Sequence, residues 1–145
     1  MYMDIARIVA KRSTCLRLNV GAVFVANNSI VSIGYNGVPS GQPHCHPTTC
    51  NHKQPCTRTT HAEVNGMLRM GEVQMGTEVD LYVTDSPCPH CYEQLVKMQE
   101  YAKIRIFFSS PYRLDEHIVK GVLPAYRVLP SGEIVDWRTK EAFND

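Results

Sequence analysis

The chain has 145 residues, enough for one domain with a sizeable hydrophobic core. Hydrophobic residues make up 43% of the sequence and charged residues 20%, and the formal net charge is +1 at pH 7, an ordinary composition for a globular protein. This balance argues against a nucleic-acid-binding protein, since such proteins usually carry a strong excess of basic residues. No apolar run approaches the roughly 20 residues of a membrane span.

The first half of the chain is predicted to form a helix and a β-hairpin, followed by a long loop. Apolar residues recur on one face of residues 3–13, which predicts a helix. Two β-rich runs at 20–25 and 30–35 flank a turn at residues 27–28, which predicts a hairpin. Residues 36–58 are dense in Gly, Pro, Cys and His without a periodic pattern, which is typical of a functional loop.

The second half alternates helical and β-rich patterns, which predicts a layered α/β domain. We expect residues 1–145 to form a single domain, with a central mixed sheet of about five strands flanked by helices. In chain order, the predicted elements are a helix at 61–70, a strand at 81–84, a helix at 87–99, a strand at 104–109, a helix at 115–122 and short strands at 126–129 and 134–137.

Three metal-ligating side chains stand at the predicted starts of two helices. Cys88 and Cys91 are three residues apart and share one face of a helical turn, while His61 comes from the preceding helix. This mixed nitrogen and sulfur set suits zinc. Three ligands leave a fourth position for water, whose pKa falls from about 16 towards 7 on a catalytic zinc. Glu63 is placed to transfer protons, so the pattern predicts a catalytic zinc site.

Other interpretations of these residues exist. A C-x-x-C pair by itself is more often a structural zinc corner or a thiol redox pair. A non-catalytic zinc module that binds protein or nucleic acid would have no use for Glu63 beside an open metal position, so this carboxylate favours catalysis. The absence of a basic stretch and apolar core after Met1 predicts no signal peptide. We therefore expect a cytoplasmic protein whose cysteines are reduced.

The His-x-Glu and Pro-Cys-x-x-Cys motifs resemble the signature of zinc nucleobase deaminases. With the Gly-Tyr-Asn-Gly stretch at 34–37 and the Leu-Tyr-Val-Thr stretch at 81–84, the chain resembles deoxycytidylate deaminases of the bacterial and bacteriophage type, in the cytidine deaminase superfamily. The resemblance covers roughly residues 3–125. It implies a three-layer cytidine-deaminase-like fold, hydrolysis of dCMP to dUMP with release of ammonia, and residence in a host cytoplasm if the protein is of phage origin.

The resemblance also implies roles for individual residues. His61, Cys88 and Cys91 would be the zinc ligands and Glu63 the proton shuttle. The backbone around Ala62 and Ser86 would grip the pyrimidine edge, Asn36 would contact the sugar, and Tyr112 would lie near the base and sugar. Without the resemblance, Asn36-Gly37 reads equally well as a turn pair and Tyr112 as a packing residue. Candidates for the substrate phosphate, each of which could instead be a solvated surface charge, are Lys11, Arg17, Arg58 and Arg113.

Four cysteines lie outside the catalytic motif. A loop rich in Cys and His is typical of a metal site, and the resemblance implies a second, structural zinc that ties this loop to the end of the first helix. Some of these cysteines could instead be buried small residues, and histidines of the loop could replace one or two ligands. The cysteines are Cys15, Cys45, Cys50 and Cys56, and the neighbouring histidines are His44, His46 and His52.

Regulation and assembly are implied by the resemblance alone. Enzymes of this type are commonly hexamers that dCTP activates and dTTP inhibits. We expect residues 34–41 to bind a deoxynucleoside triphosphate, with Mg²⁺ as its companion, because glycines let a backbone approach phosphates closely. Free cytidine or deoxycytidine, or a base in tRNA or single-stranded DNA, are alternative substrates. The residues proposed for the effector site are Gly34, Tyr35, Asn36, Gly37 and Arg17.

Overall fold

A computed structural model describes residues 1–14, 18–37, 61–111 and 115–143. The longest helix in these ranges has 10 residues, and none of the helices there could cross a membrane. The elements are α1 (Tyr2–Ala10), β1 (Gly21–Ala26), β2 (Ser29–Tyr35), α2 (Ala62–Met70), β3 (Thr77–Asp85), α3 (Pro89–Met98), β4 (Ala102–Ser110), α4 (Glu116–Val119), β5 (Ala125–Val128) and β6 (Ile134–Asp136).

The strands form one mixed sheet in the order β2-β1-β3-β4-β5-β6. Strand β1 is antiparallel to β2 and β3, whereas β3, β4 and β5 are parallel, and β6 returns antiparallel to β5. The mixed α/β prediction is confirmed, with six strands in the described ranges instead of about five. The last strand, the three-residue β6, lies within the short strand predicted at 134–137 and follows a turn where Gly132 has a φ of 90°.

The β1–β2 hairpin forms where the sequence predicts it. Asn27 and Asn28 have φ values of 53° and 62°, and they join the paired residues Ala26 and Ser29. Asparagine tolerates this left-handed conformation better than most residues, and a two-residue turn of this kind matches the twist of the strands.

Helices cover both faces of the sheet, which gives the predicted three layers. Helices α2 and α3 pack on the face that carries Phe24, Leu81 and Ile106. Helix α1 packs on the opposite face, against Val23 and Phe107. In the part of the chain that the structure describes, two apolar clusters therefore hold the layers together.

Two helices end earlier than predicted. Helix α1 ends at Ala10, and the amides of residues 11–13 bond to carbonyls three positions back, so the predicted end of this helix is a tighter turn. Helix α4 ends at Val119 instead of residue 122. The chain passes so close to Tyr92 at Gly121 that a Cβ there would lie under 3.0 Å from the tyrosine hydroxyl, so packing decides this end.

Four strand ends meet at one edge of the sheet. Strands β3 and β4 are in register at Asp85 and Ser110, where both end. Strand β1 starts at this edge, where Gly21 N donates to Thr84 Oγ1 at 3.1 Å, and β2 ends there at Tyr35, opposite Gly21. Ligand sites of α/β sheets typically lie beyond the carboxyl ends of the parallel strands.

Candidate active site

The two sequence motifs lie at the N-termini of α2 and α3. His61 is the N-cap of α2 and Cys88 the N-cap of α3, with Pro89 in the first helical turn. The first-turn hydrogen bonds run from Asn65 N to His61 O at 3.0 Å and from Tyr92 N to Cys88 O at 2.9 Å. The prediction that both motifs stand at helix starts is confirmed, so both helix dipoles present their positive ends here.

The donor atoms of His61, Cys88 and Cys91 form a compact group. His61 Nδ1 lies 3.1 Å from Cys91 Sγ and 3.5 Å from Cys88 Sγ, and one ligand atom of each residue lies within 4.8 Å of the others. Tetrahedral zinc, with bonds of about 2.0 Å to nitrogen and 2.3 Å to sulfur, needs donor atoms roughly 3.5 Å apart. The donor set and its spacing therefore fit zinc.

The two thiols of this group differ in acidity. Hydrogen bonding to Cys91 and to His61 lowers the pKa of the Cys88 thiol to about 3, against the opposing effect of burial. Hydrogen bonding to Cys88, together with burial, raises the pKa of Cys91. The hydrogen bond with Cys88 also raises the pKa of His61. The fold therefore favours the thiolate form of Cys88, the form in which cysteine binds a metal.

Glu63 lies in the first turn of α2 and is only 4% exposed. Burial raises the pKa of its carboxyl group from 4.5 to about 7, although a hydrogen bond with its own backbone and the charge of His61 oppose the change. A carboxyl group with a pKa near neutrality can both accept and return a proton at physiological pH. Glu63 thus combines proximity to the donor group with suitable acidity.

The Gly-Tyr-Asn-Gly stretch adjoins the start of α2. A Cβ at Gly34 would lie under 3.0 Å from the Ala62 carbonyl oxygen, so only glycine allows this approach of strand and helix. Asn65 Nδ2 donates to the Tyr35 carbonyl at 2.8 Å. These contacts show a structural role for Gly34 and Asn65: they hold the start of α2 against β2 and thereby place Ala62 and Glu63.

Asn36 is buried and organises the preceding loop. Its Oδ1 accepts from Val20 N at 2.8 Å, and its Nδ2 donates to Leu18 O at 2.6 Å. The amide keeps one N–H and one lone pair beyond these bonds. The role of Asn36 as a sugar contact stays a prediction.

Two arginines that the sequence analysis did not single out lie beside Tyr35. Hydrogen bonds from Arg69 and Arg12 lower the pKa of the Tyr35 hydroxyl, and the Arg69 guanidinium lies 5.1 Å from the centre of the Tyr35 ring. Neither arginine stands in a recognisable motif. The turn after α1 carries Arg12 and α2 carries Arg69, and the two meet at Tyr35 only in the folded chain.

Ala62 and Ser86, predicted to contact the base, are both buried at the site edge of the sheet. The Ser86 N–H donates to the Ser110 carbonyl at 2.9 Å, which ties the turn after β3 to the end of β4. Each residue directly adjoins a predicted zinc-ligand segment in the chain, and the contact with a base stays a prediction.

Several predicted site residues lie outside the described residues. In the ranges that the structure describes, His61, Cys88 and Cys91 form the one group of three or more side chains spaced to hold a metal ion. The second zinc site is therefore not tested. The predicted residues outside these ranges are Cys15, Arg17, Cys45, Cys50, Cys56, Arg58, Tyr112 and Arg113, together with the loop histidines His44, His46 and His52.

Comparisons with known proteins agree with this geometry. Residues 1–107 match the profile of the family described as the cytidine and deoxycytidylate deaminase zinc-binding region. Over 102 residues, the chain is 33% identical to the deoxycytidylate deaminase of Mycobacterium phage D29, an alignment that covers 62% of this chain and 79% of that protein. It is 31% identical over 125 residues to the deoxycytidylate deaminase of Schizosaccharomyces pombe, covering 80% of this chain and 38% of the yeast protein.

A solved structure gives the same result for the fold. The dCMP deaminase of cyanophage S-TIM5, in complex with dCMP and dUMP, superposes with a TM-score of 0.70 at 30% identity, covering 87% of this chain and 93% of that one. The chain spans between 38% and 59% of the lengths of its relatives in two yeasts and Bacillus subtilis.

Proposed function

Because the chain belongs to the cytidine and deoxycytidylate deaminase family, we propose that it hydrolyses dCMP to dUMP and ammonia. The observation that carries the proposal is the buried carboxyl group of Glu63 beside a donor set that, among the described residues, has three protein ligands. A structural zinc site is closed by four ligands, whereas a catalytic site keeps an open position. A buried carboxyl group beside three ligands and an open position is the combination that a hydrolytic zinc catalyst needs.

The proposed mechanism divides the work among the four residues. Zinc held by His61, Cys88 and Cys91 would supply an open coordination position that lowers the pKa of water. Glu63 takes the protons that the attacking water loses, and delivers one to ring nitrogen N3 and one to the amino nitrogen that leaves as ammonia. The raised pKa of Glu63 suits this exchange, since the carboxyl group must be a base before the attack and an acid after it.

The choice of dCMP as substrate has two supports. The cyanophage relative was crystallised with dCMP and dUMP, and the net charge of +1 makes a long nucleic-acid track an unfavourable alternative. We propose that Asn36, Ser86, Tyr112 and the backbone at Ala62 position the nucleotide. We expect a basic side chain to pair with the 5′-phosphate of the nucleotide. Free cytidine lacks this phosphate and should therefore be a poor substrate.

A parallel assay tests this substrate assignment. Ammonia release is measured from dCMP, dCTP, cytidine, deoxycytidine and an RNA oligonucleotide, with zinc content determined on the same sample. We expect zinc to be present and turnover to be highest with dCMP. Faster release from the oligonucleotide or from free nucleosides would contradict the assignment, and a zinc-loaded protein without any deaminase activity would favour the structural zinc module.

We further propose a second, structural zinc held by Cys15, Cys45, Cys50 and Cys56, with loop histidines as alternative ligands. The support is the density of soft ligands in this segment of the sequence. Metal analysis should give two zinc ions per chain in the native protein, and one in a variant with Cys50 and Cys56 changed to serine. One zinc in the native protein would contradict this site.

Regulation by dCTP and dTTP is proposed at residues 34–37 with Arg17, with Mg²⁺ bound alongside the triphosphate. The two guanidinium groups at Tyr35 support it, because they place positive charge beside this segment. From the resemblance to deoxycytidylate deaminases, we also propose a single-domain hexamer that works in the cytoplasm. If added dCTP and dTTP change neither the deamination rate nor the substrate cooperativity, the effector site is contradicted. Analytical sedimentation tests the hexamer.

A further inference from the structure

Helix α4 braces the turn that carries Cys88, although it lies beyond the residues matched by the family profile. His117 of α4 places its Nε2 atom 2.8 Å from the carbonyl oxygen of Pro87. Because a carbonyl oxygen only accepts hydrogen bonds, Nε2 carries the proton and donates it. Pro87 is fully buried, so this hydrogen bond satisfies a carbonyl group next to the metal-ligand turn.

The position of this carbonyl group makes the contact relevant to Cys88. The Pro87 carbonyl belongs to the peptide group that ends at the Cys88 nitrogen, and a peptide group is planar. A hydrogen bond that fixes the oxygen therefore also fixes the plane from which the Cys88 side chain projects. No side-chain cap hydrogen bond holds this end of α3, which leaves the orientation of the turn dependent on contacts such as this one.

His117 is itself held in place by α3 and by the turn after α4. The Tyr92 ring meets the imidazole edge-on, with ring centres 5.5 Å apart and planes at 77°. The Tyr92 hydroxyl accepts a hydrogen bond from Leu123 N at 2.9 Å, and the missing side chain of Gly121 leaves room for that hydroxyl. The imidazole is thus aimed at Pro87 by a packed framework.

We propose that His117 is a positioning residue for the metal centre. Its hydrogen bond to the Pro87 carbonyl holds Cys88 in the orientation in which it joins His61 and Cys91. This inference rests on the proposed role of these three residues as zinc ligands. Partners that orient metal ligands typically change metal affinity by 10- to 100-fold when they are removed, and an indirect contact through the backbone belongs at the lower end of that range.

Two matched substitutions test the hydrogen bond. Glutamine at position 117 places a donor nitrogen close to where Nε2 stands, whereas asparagine is equally polar but too short to reach Pro87. We expect His117→Asn to lower zinc affinity about tenfold, measured by competition with a chromophoric chelator, and His117→Gln to restore it. In the Co²⁺-substituted protein, the thiolate-to-cobalt absorption bands should shift in His117→Asn and keep their native positions in His117→Gln.

The control is Glu116→Gln, which removes an exposed ion pair with Lys120 on the same helix and should leave both readouts unchanged. Native zinc affinity and cobalt bands in His117→Asn would overturn the inference, as would equal losses in the Asn and Gln variants. If His117→Asn does not fold, nitrogen NMR of native protein decides: an Nδ1–H tautomer of His117 overturns the proposal. Normal metal readouts without dCMP turnover would overturn the proposed function and leave this inference standing.

Discussion

Two carboxyl groups on opposite sides of the sheet show how differently the protein treats an acid within the fold. Asp80, on the α1 face, accepts two hydrogen bonds from Arg105, from Nε at 2.7 Å and from Nη2 at 2.8 Å. The same guanidinium lies 5.4 Å from the centre of the Phe107 ring. The negative charge is thus neutralised within the fold by a bidentate pair.

Glu63, on the α2–α3 face, has no such partner among the ion pairs of the described residues. It is more deeply buried, and burial raises the pKa of its carboxyl group to about 7. A buried acid without a matched cation is costly for stability. The comparison teaches that the α1 face is built for stability, whereas the opposite face keeps a proton available for chemistry.

The largest expected effect comes from neutralising each carboxylate in turn. Glu63→Gln should lower the rate of dCMP deamination about 10²- to 10⁴-fold, because it removes general acid–base catalysis, while zinc content and folding are retained. Asp80→Asn is the matched control and should leave the rate within about twofold, since Asp80 lies outside the site. Loss of zinc in Glu63→Gln, or equal rate losses in both variants, would contradict the comparison.

The pH dependence of stability sharpens the same contrast. In metal-free protein the Glu63 carboxyl group stays protonated up to about pH 7, whereas in the unfolded chain it ionises near its ordinary value of 4.5. Its contribution to stability is therefore complete below pH 4.5 and is lost as the pH rises to 7. Relative to Glu63→Gln, the native free energy of unfolding should fall by about 3 kcal/mol between pH 4 and pH 8.

Denaturant unfolding of both proteins at each pH measures this difference, and the Gln variant cancels contributions of other titrating groups. Asp80→Asn serves as the comparison from the α1 face. If the free energy of unfolding of native protein, minus that of Glu63→Gln, rises with pH, then folding lowers the pKa of Glu63. That result would contradict its burial without a matched cation.

Gly34→Ala tests whether the packing of α2 against β2 places Glu63. The added methyl group would meet backbone atoms of Ala62 and Gly66, so we expect the free energy of unfolding to fall by about 1–3 kcal/mol. The deamination rate should fall too, even without effectors. Gly37→Ala is the control, because its methyl group would meet the Thr14 side chain instead of backbone. A stable Gly34→Ala protein that has lost only its response to dCTP would favour an effector role.

The smallest expected effect is that of Arg105→Met on the α1 face. The substitution keeps apolar contact with Phe107 but removes two charge-assisted hydrogen bonds to Asp80. The Asp80 side chain is 20% exposed, so solvent weakens this pair. We expect a loss of about 1–2 kcal/mol in the free energy of unfolding, with an unchanged deamination rate and zinc content. A lower rate at equal folding would show that the α1 face takes part in the reaction.

Local patterns predicted most of the elements correctly. The two-asparagine turn, the helix that ends at Gly71 and the helix starts at both metal motifs all depend on residues close together in the chain. The ends of α1 and α4 were wrong by a few residues. Residues 11–13 after α1 form a tighter turn, and the end of α4 depends on the close approach of Gly121 to Tyr92, a contact that leaves no local pattern.

The sequence by itself determined the chemistry available to this protein: an imidazole, two thiols three residues apart and a carboxyl group two residues from the imidazole. Only the tertiary structure decided that these groups meet. His61 and Cys91 are 30 positions apart and come within 3.1 Å through their elements at one sheet edge. The depth of Glu63, the close approach at Gly34 and the contact of His117 with Pro87 likewise depend on sheet register and helix packing. The physical reason is that side-chain chemistry is a property of each residue, whereas distance and burial are properties of the whole folded chain.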